Sequence, residues 1–276
     1  ISGSRHATLG AVTAGRLTMM KNASDPLAAQ SGVLAALLAE GGFTGPEHVV
    51  DGKEGLVQVL GPDWRLDVLT EGLGESWRIR RCGMKAFPTE ALTHAPISAV
   101  LELVEEHDLA PEEVVRVRVR SLARAADILA DPSKYDPHTK ETADHSLPYV
   151  IAAALVDRRL TPRQLETDRI ADPRIRAQLP KVEVVADPGI EAVFPKLQRV
   201  HVTVCTTDGR ELTKELDYPK GDPRNPLTDR EVEEKFETLA GPVLTGDRLR
   251  RLEGVVWSLE DQESITELME LTRSSR

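Results

Sequence analysis

The hydrophobic pattern changes period along the chain, and each change predicts a different element. Residues 8–20 are rich in Ala, Leu and Met, a composition that favours a helix. Asp25-Pro26 then reads as a helix start, a capping carboxylate followed by Pro at the first helical position. The stretch from there to the Gly41-Gly42 stop is small or apolar on most faces, which predicts a buried helix rather than an amphipathic one. A further short helix is predicted over residues 52–60, despite its glycines.

Beyond Gly61-Pro62 the period varies. Residues 76–82 read as a strand, and residues 96–106 have helical spacing, with Ile97, Val100, Leu101 and Val104 on one side. Over residues 112–122, Val115, Val117 and Val119 alternate with Arg, a period of two that predicts a strand with one wet face. Residues 147–156 form an Ala-rich apolar helix, and short helices are predicted at 162–166 and 173–179. Strands are predicted at 182–185 and 197–206. Asp208-Gly209 between the second of these and the run from Glu211 is a hairpin signal, because Asp-Gly accepts the positive backbone angles of a tight turn. Residues 218–226 are a Pro/Gly loop, Thr228 caps an acidic helix, and the last helices cover 246–257 and 264–271. Helices, then strands mixed with helices, then helices again predict an α+β chain. In it a split all-helical domain, 1–75 and 219–276, surrounds a smaller α+β insert, 76–218.

With 276 residues, 40% of them apolar, the chain can bury a sizeable core; at 4% aromatic, that core must be mostly Leu, Val, Ile and Ala. No apolar run approaches the roughly 20 residues of a membrane helix, so no membrane partner is expected. A net charge of −10 argues against a nucleic-acid partner, yet leaves room for a local cluster of cations that binds a small anion. Cys82 and Cys205 are too few for a disulfide framework or an iron–sulfur cluster and do not look like a metal site; a reducing cytoplasm is the simplest location. The first residues lack the features of a signal peptide and an initiator Met, which reads as a processed chain or a piece of something longer. The sequence has no dinucleotide fingerprint, phosphate loop, zinc-protease motif or nucleophile elbow.

Four places could carry chemistry. Lys21 stands in an apolar context just before a buried helix; a surface lysine on a helix end is the plainer alternative. Arg78, Arg80, Arg81 and Lys85 precede Pro88, Glu90 and His94, and a substrate with several carboxylates needs such cations. His138, Lys140, Glu141, Asp144, His145, Ser146 and Tyr149 crowd the entrance of the apolar helix at 147–156. Polar groups there lie near the core, where pKa values can be tuned, and His145 and Tyr149 share a face if the helix starts early enough. Ser146 is better read as a helix cap. The alternating Arg residues of 112–122 are better read as a solvated strand face.

Residues 131–157, DPSKYDPHTKETADHSLPYVIAAALVD, closely resemble the 2-methylcitrate dehydratase branch of the MmgE/PrpD family. Lys85, Phe87, Pro88 and Glu90 are similar to that branch's Lys-aromatic-Pro-x-Glu segment, and the Ala-rich helix after Lys21 and the loop into the acidic helix also resemble the family. After Glu90 the chain departs from the branch: Thr93-His94 resembles decarboxylases and other relatives instead. The resemblance implies a large helical domain and a smaller, lid-like α+β domain with the site between them. It also implies a long helical stretch that precedes this segment in family members, so that the chain is a fragment or has a partner supplying that part.

By the same resemblance, Lys21, Lys85, His145 and Tyr149 are the expected catalytic residues, while Arg81, Glu90, His94 and Asp144 are expected to bind substrate. No metal and no cofactor are expected. The expected reaction is dehydration of 2-methylcitrate, a small tricarboxylate, to 2-methyl-cis-aconitate, by a homodimer. Decarboxylation of cis-aconitate, epimerisation of iminodisuccinate, and a non-catalytic subunit are the alternatives.

Overall fold

The computed structural model describes residues 18–61 and 63–273. By contacts the chain divides into two compact units, one up to Arg78 and one from Ile79.

The first unit contains α1 (Met20–Glu40) and α2 (Leu56–Leu60). Most of the helix predicted at 8–20 lies outside the described residues. Asp25-Pro26 does not start α1. The helix begins at Met20 and runs through Pro26, which has no N–H to offer the carbonyl of Asn22. Nor is α1 buried all round: Ser31 and Ala35 are buried, whereas Leu27, Val33, Leu34 and Leu37 are exposed. The helix predicted over 52–60 is confined to its last turn, because the preceding residues close on themselves through Gly52 N–H to His48 C=O and Gly55 N–H to Gly52 C=O.

The second unit is mixed, as the sequence predicts. Along the chain it contains α3 (His94–His107), β1 (Val114–Ser121), α4 (Ala123–Leu129), α5 (Lys140–Ala143), α6 (Leu147–Asp157), α7 (Thr167–Ile170) and α8 (Pro173–Arg176). There follow β2 (Val182–Ala186), α9 (Pro188–Glu191), β3 (Val200–Thr206), β4 (Glu211–Leu216), α10 (Asp229–Ala240), α11 (Gly246–Trp257) and α12 (Thr266–Thr272). The strands form one sheet in the order β2-β1-β3-β4, with β1 parallel to β2 and antiparallel to β3, and β3 antiparallel to β4. α3 packs on β3 and β4, and α6 packs on β2 and on α3. Ile97, Val100, Leu103 and Val104 of α3 and Val117, Val119, Val202 and Val204 of the sheet are buried in one core.

α6 completes that core. Every residue from Leu147 to Leu155 is buried, as a helix apolar on all sides must be. No described helix is long and apolar enough to cross a membrane.

Two strand readings need correction. Residues 76–82 form no strand; Arg78–Arg81 is a 3-10 turn closed by Cys82 N–H on Ile79 C=O, and Ile79 is exposed. In β1 the inward residues are Val114, Val117 and Val119, not Val115. The pairing slips between Val114 and Arg116, and this bulge turns Val115 outward. The Arg116, Arg118 and Arg120 side is the solvated face that the alternation predicts. The β3–β4 hairpin forms where Asp208-Gly209 predicts it. Only Gly209 takes a positive φ, +86°, so the turn is a three-residue loop closed by Gly209 N–H on Thr206 C=O.

Gly221 makes the closest crossing in this unit. Its φ is +92°, a Cβ there would lie 1.8 Å from the Met84 carbonyl oxygen, and Met84 N–H donates to the Gly221 carbonyl at 2.9 Å. The 218–226 loop thereby holds the backbone immediately before Lys85. Gly221→Ala is expected to destabilise the protein by roughly 3 kcal/mol or more, the left-handed backbone cost plus a clash with main chain. Gly209→Ala, with a similar φ but open space around it, is expected to cost only about 1 kcal/mol. Urea midpoints of the two variants check this; equal losses would show that the crossing has no special weight.

Candidate functional site

Two short polar segments meet at the entrances of α3 and α6. In the first, Lys85 bends back so that its ammonium donates to the Thr89 carbonyl at 2.7 Å. Glu90 caps the 3-10 turn Ala91–Thr93, accepting the Leu92 N–H at 2.6 Å, and the Thr89 and Thr93 hydroxyls share a hydrogen bond of 2.7 Å. That turn runs directly into α3, whose first residue is His94. The imidazole of His94 is buried, with Nε2 3.4 Å from the Thr89 carbonyl and its ring tilted against Phe87 at a centroid distance of 5.4 Å. Burial pulls its pKa down from 6.5 to about 4; the Thr89 carbonyl opposes the shift, and the charges of Lys85 and Lys235 add to it. His94 is therefore a neutral imidazole at neutral pH.

In the second segment Thr139 caps α5 and Ser146 caps α6, the latter by accepting Tyr149 N–H at 3.0 Å. Asp144 and His145 occupy the link between the two helices. The buried Asp144 carboxylate binds His145 Nδ1 at 2.5 Å through one oxygen and Lys140 Nζ at 2.7 Å through the other. Burial alone would raise the pKa of Asp144, but the hydrogen bonds from His145 and Lys140 outweigh it and hold the carboxyl below its ordinary range. A carboxylate on Nδ1 sets the tautomer with the proton on that nitrogen, so Nε2 carries the lone pair. The segments are joined by backbone: Glu90 N–H donates to the Asp144 carbonyl at 3.0 Å.

The structure thus brings together Lys85, Glu90, His94, Asp144 and His145. Tyr149 is placed otherwise. Ser146 starts α6 at Leu147, so His145 precedes the helix and does not share a face with Tyr149. Tyr149 is fully buried and its hydroxyl donates to the Gln164 carbonyl. Burial raises its pKa, with Arg169 opposing and nearby carboxylates adding to the rise. Its phenol is a core hydrogen bond. Arg81 is exposed on the turn Arg78–Arg81, and Lys21 is the second residue of α1, in the other unit.

Sequence reading missed Lys235 of α10, whose ammonium donates to the Lys85 carbonyl at 2.6 Å. A lone lysine on an acidic helix carries no local signal of such a contact. Among the described residues no group of three or more His, Cys, Asp and Glu side chains is arranged to hold a metal ion. An open concavity of about 480 Å3 beside the β3–β4 turn, lined by Arg116, Lys181, Cys205 and Arg210, includes none of the residues of this cluster.

The lowered pKa of His94 makes stability depend on pH. Between 6.5 and about 4 the unfolded chain binds a proton that the folded chain does not, so the contribution is fully present above pH 6.5 and is lost as pH falls towards 4. At about 1.4 kcal/mol per pKa unit the loss is roughly 3 kcal/mol. Urea unfolding of the wild type and of His94→Gln from pH 7 to 4 should show this extra loss only in the wild type. Parallel curves would mean that the imidazole is hydrated.

Comparison with known proteins supplies the family context. Cis-aconitate decarboxylase of Homo sapiens is 29% identical over 270 residues, covering 96% of this chain and 55% of its own length. Cis-aconitate decarboxylase of Aspergillus terreus is 24% identical over 270 residues, covering 92% of this chain and 54% of its own. The cis-aconitate decarboxylase-like protein oryM of Aspergillus oryzae is 26% identical over 269 residues, covering 92% and 55%. The chain spans about half the length of the curated relatives it matches. Residues 87–261 match the MmgE/PrpD C-terminal domain and residues 1–68 match the MmgE/PrpD N-terminal domain. With more than half of its length matched by one of these models, the chain belongs to the MmgE/PrpD family.

Proposed function

We propose that the whole protein is a lyase acting on a small polycarboxylate, and that this chain supplies Lys85 and the Asp144–His145 pair to its site. The observation that supports the reading is the Glu90–Asp144 backbone hydrogen bond, which joins the segment carrying Lys85 to the segment carrying the Asp144–His145 pair. Both reactions considered below place negative charge on carbon near a carboxylate. A lysine that binds the carboxylates lowers the cost of that charge, and fixing the substrate removes orientation cost.

Dehydration of 2-methylcitrate to 2-methyl-cis-aconitate is the first reading, supported by the resemblance of residues 131–157 to that branch. His145 Nε2 takes the proton from carbon, and the same imidazole then delivers that proton to the departing hydroxyl group, which leaves as water as the carbon–oxygen bond breaks. Decarboxylation of cis-aconitate is the second reading, supported by the names of the relatives and by Thr93-His94. There the imidazolium delivers a proton to the carbon skeleton as carbon dioxide departs.

The same proposal includes Lys21 and Arg81 as further carboxylate ligands, the division into helical parts (1–75 and 219–276) about a lid-like insert (76–218), and action in the cytoplasm as a homodimer or with a partner that contributes further helices. The exposed apolar residues of α1 support such additional packing. Tyr149 enters as a support of α6, through its bond to Gln164.

Incubating the whole protein with 2-methylcitrate, citrate and cis-aconitate separates the readings. Enoate absorbance without carbon dioxide marks dehydration, carbon dioxide release marks decarboxylation, and neither from any acid overturns the lyase reading. His145→Gln should lower kcat by about 10²–10⁴-fold with little change in KM, as loss of an acid–base group does. Lys85→Met should act on KM as well, because it removes binding charge.

A further inference from the structure

Lys235 is the one lysine in the sequence of α10, among Asp229, Glu231, Glu233, Glu234 and Glu237. Its expected partner is the carboxylate one turn back, Glu231. That carboxylate is already engaged, with Lys220 at 2.8 Å and with the backbone N–H of Thr228 at 2.7 Å. Glu234 pairs with Arg230 at 2.7 Å. Lys235 instead reaches across to the Lys85 carbonyl at 2.6 Å.

Lys85 in turn holds the Thr89 carbonyl. Among the described residues neither lysine forms an ion pair with a carboxylate; the nearest acidic side chain along the segment, Glu90, is turned into its own 3-10 turn. The third neighbour, His94, is a buried imidazole on which both lysine charges act. An ammonium has three donors, and each lysine spends one on a carbonyl. A chain with a net charge of −10 thus keeps two lysines, linked through one backbone carbonyl and acting on one imidazole, without a carboxylate partner among the described residues. Burial disfavours the charge of Lys235. An anionic ligand with two carboxylates supplies a counter-charge to each lysine.

We propose that Lys235 is a substrate-binding and specificity-determining residue: together with Lys85 it forms a two-cation receptor that takes two carboxylates of one acid and discriminates against monocarboxylates. Lys235 also fixes the Lys85 backbone, so its removal weakens the receptor twice. The inference rests on the polycarboxylate reading above and deepens it.

The test uses the whole protein and an unreactive probe, propane-1,2,3-tricarboxylate, with propionate as the monocarboxylate control. Binding is measured by calorimetry in the wild type, Lys235→Met and Lys235→Arg. The receptor predicts that the probe binds the wild type, that Lys235→Met weakens it roughly tenfold or more, that Lys235→Arg restores most of the affinity, and that propionate binds weakly to all three. The imidazole of His94, followed by NMR, should titrate at higher pH in Lys235→Met and not in Lys235→Arg, a change that a packing role alone would not produce. Equal probe affinity in wild type and Lys235→Met overturns the proposal, as does a wild type that binds propionate as well as the probe. A wild type that binds the probe but converts none of the acids would sink the lyase reading while leaving the receptor intact.

Discussion

A helix apolar on every side is stable only when it is surrounded, and α6 is such a helix. Its residues from Leu147 to Leu155 are buried, and the surround comes from α3, from β2 and from the short segments after it. The need to bury α6 brings its entrance against the entrance of α3. The Glu90–Asp144 backbone bond follows from that packing. So does the placement of His94, Asp144 and His145 at the border between core and solvent, where desolvation strengthens their charge–charge and charge–dipole contacts, with the exposed Lys85 on the same segment as His94.

Charge is handled differently on the two sides of this border. Asp144 is buried but compensated twice, by His145 and by Lys140, so an oriented imidazole costs little to keep. Among the described residues Lys85 and Lys235 are compensated only by carbonyl oxygens. His94 remains neutral between them, since a third positive charge there would meet both burial and repulsion. The arrangement has an imidazole held by a carboxylate on one arm and two lysines bonded to carbonyl oxygens on the other. That division suits chemistry on a polycarboxylate, in which one carboxylate is handled as a reacting neighbour and the others as handles.

Much of the fold is legible in the chain. α3, α6, the β3–β4 hairpin and the Thr228-capped α10 follow from periodicity, from caps and from Asp-Gly, because these are local interactions between residues close in sequence. The failures are also instructive. Val115 reads as an inward residue by strict alternation, but a one-residue bulge set by the pairing with β3 turns it out. Asp25-Pro26 has the chemistry of a helix start, yet α1 begins earlier, at Met20, and carries Pro26 inside it. Residues 76–82 have strand-like composition, but their hydrogen bonds close a local turn.

For the site, residue type and neighbourhood along the chain were enough to mark Lys85, Glu90, His94, Asp144 and His145, because each lies within a polar run at the entrance of an apolar helix. Sequence alone also determined the cap Ser146, which is satisfied by a backbone N–H three residues away. Only the tertiary structure decided which polar groups meet. It sent the Tyr149 phenol to the Gln164 carbonyl in the core, and it brought Lys235 to Lys85 across 150 positions. Such contacts depend on how whole elements stack, and no local pattern of side chains records the partner that lies on another element.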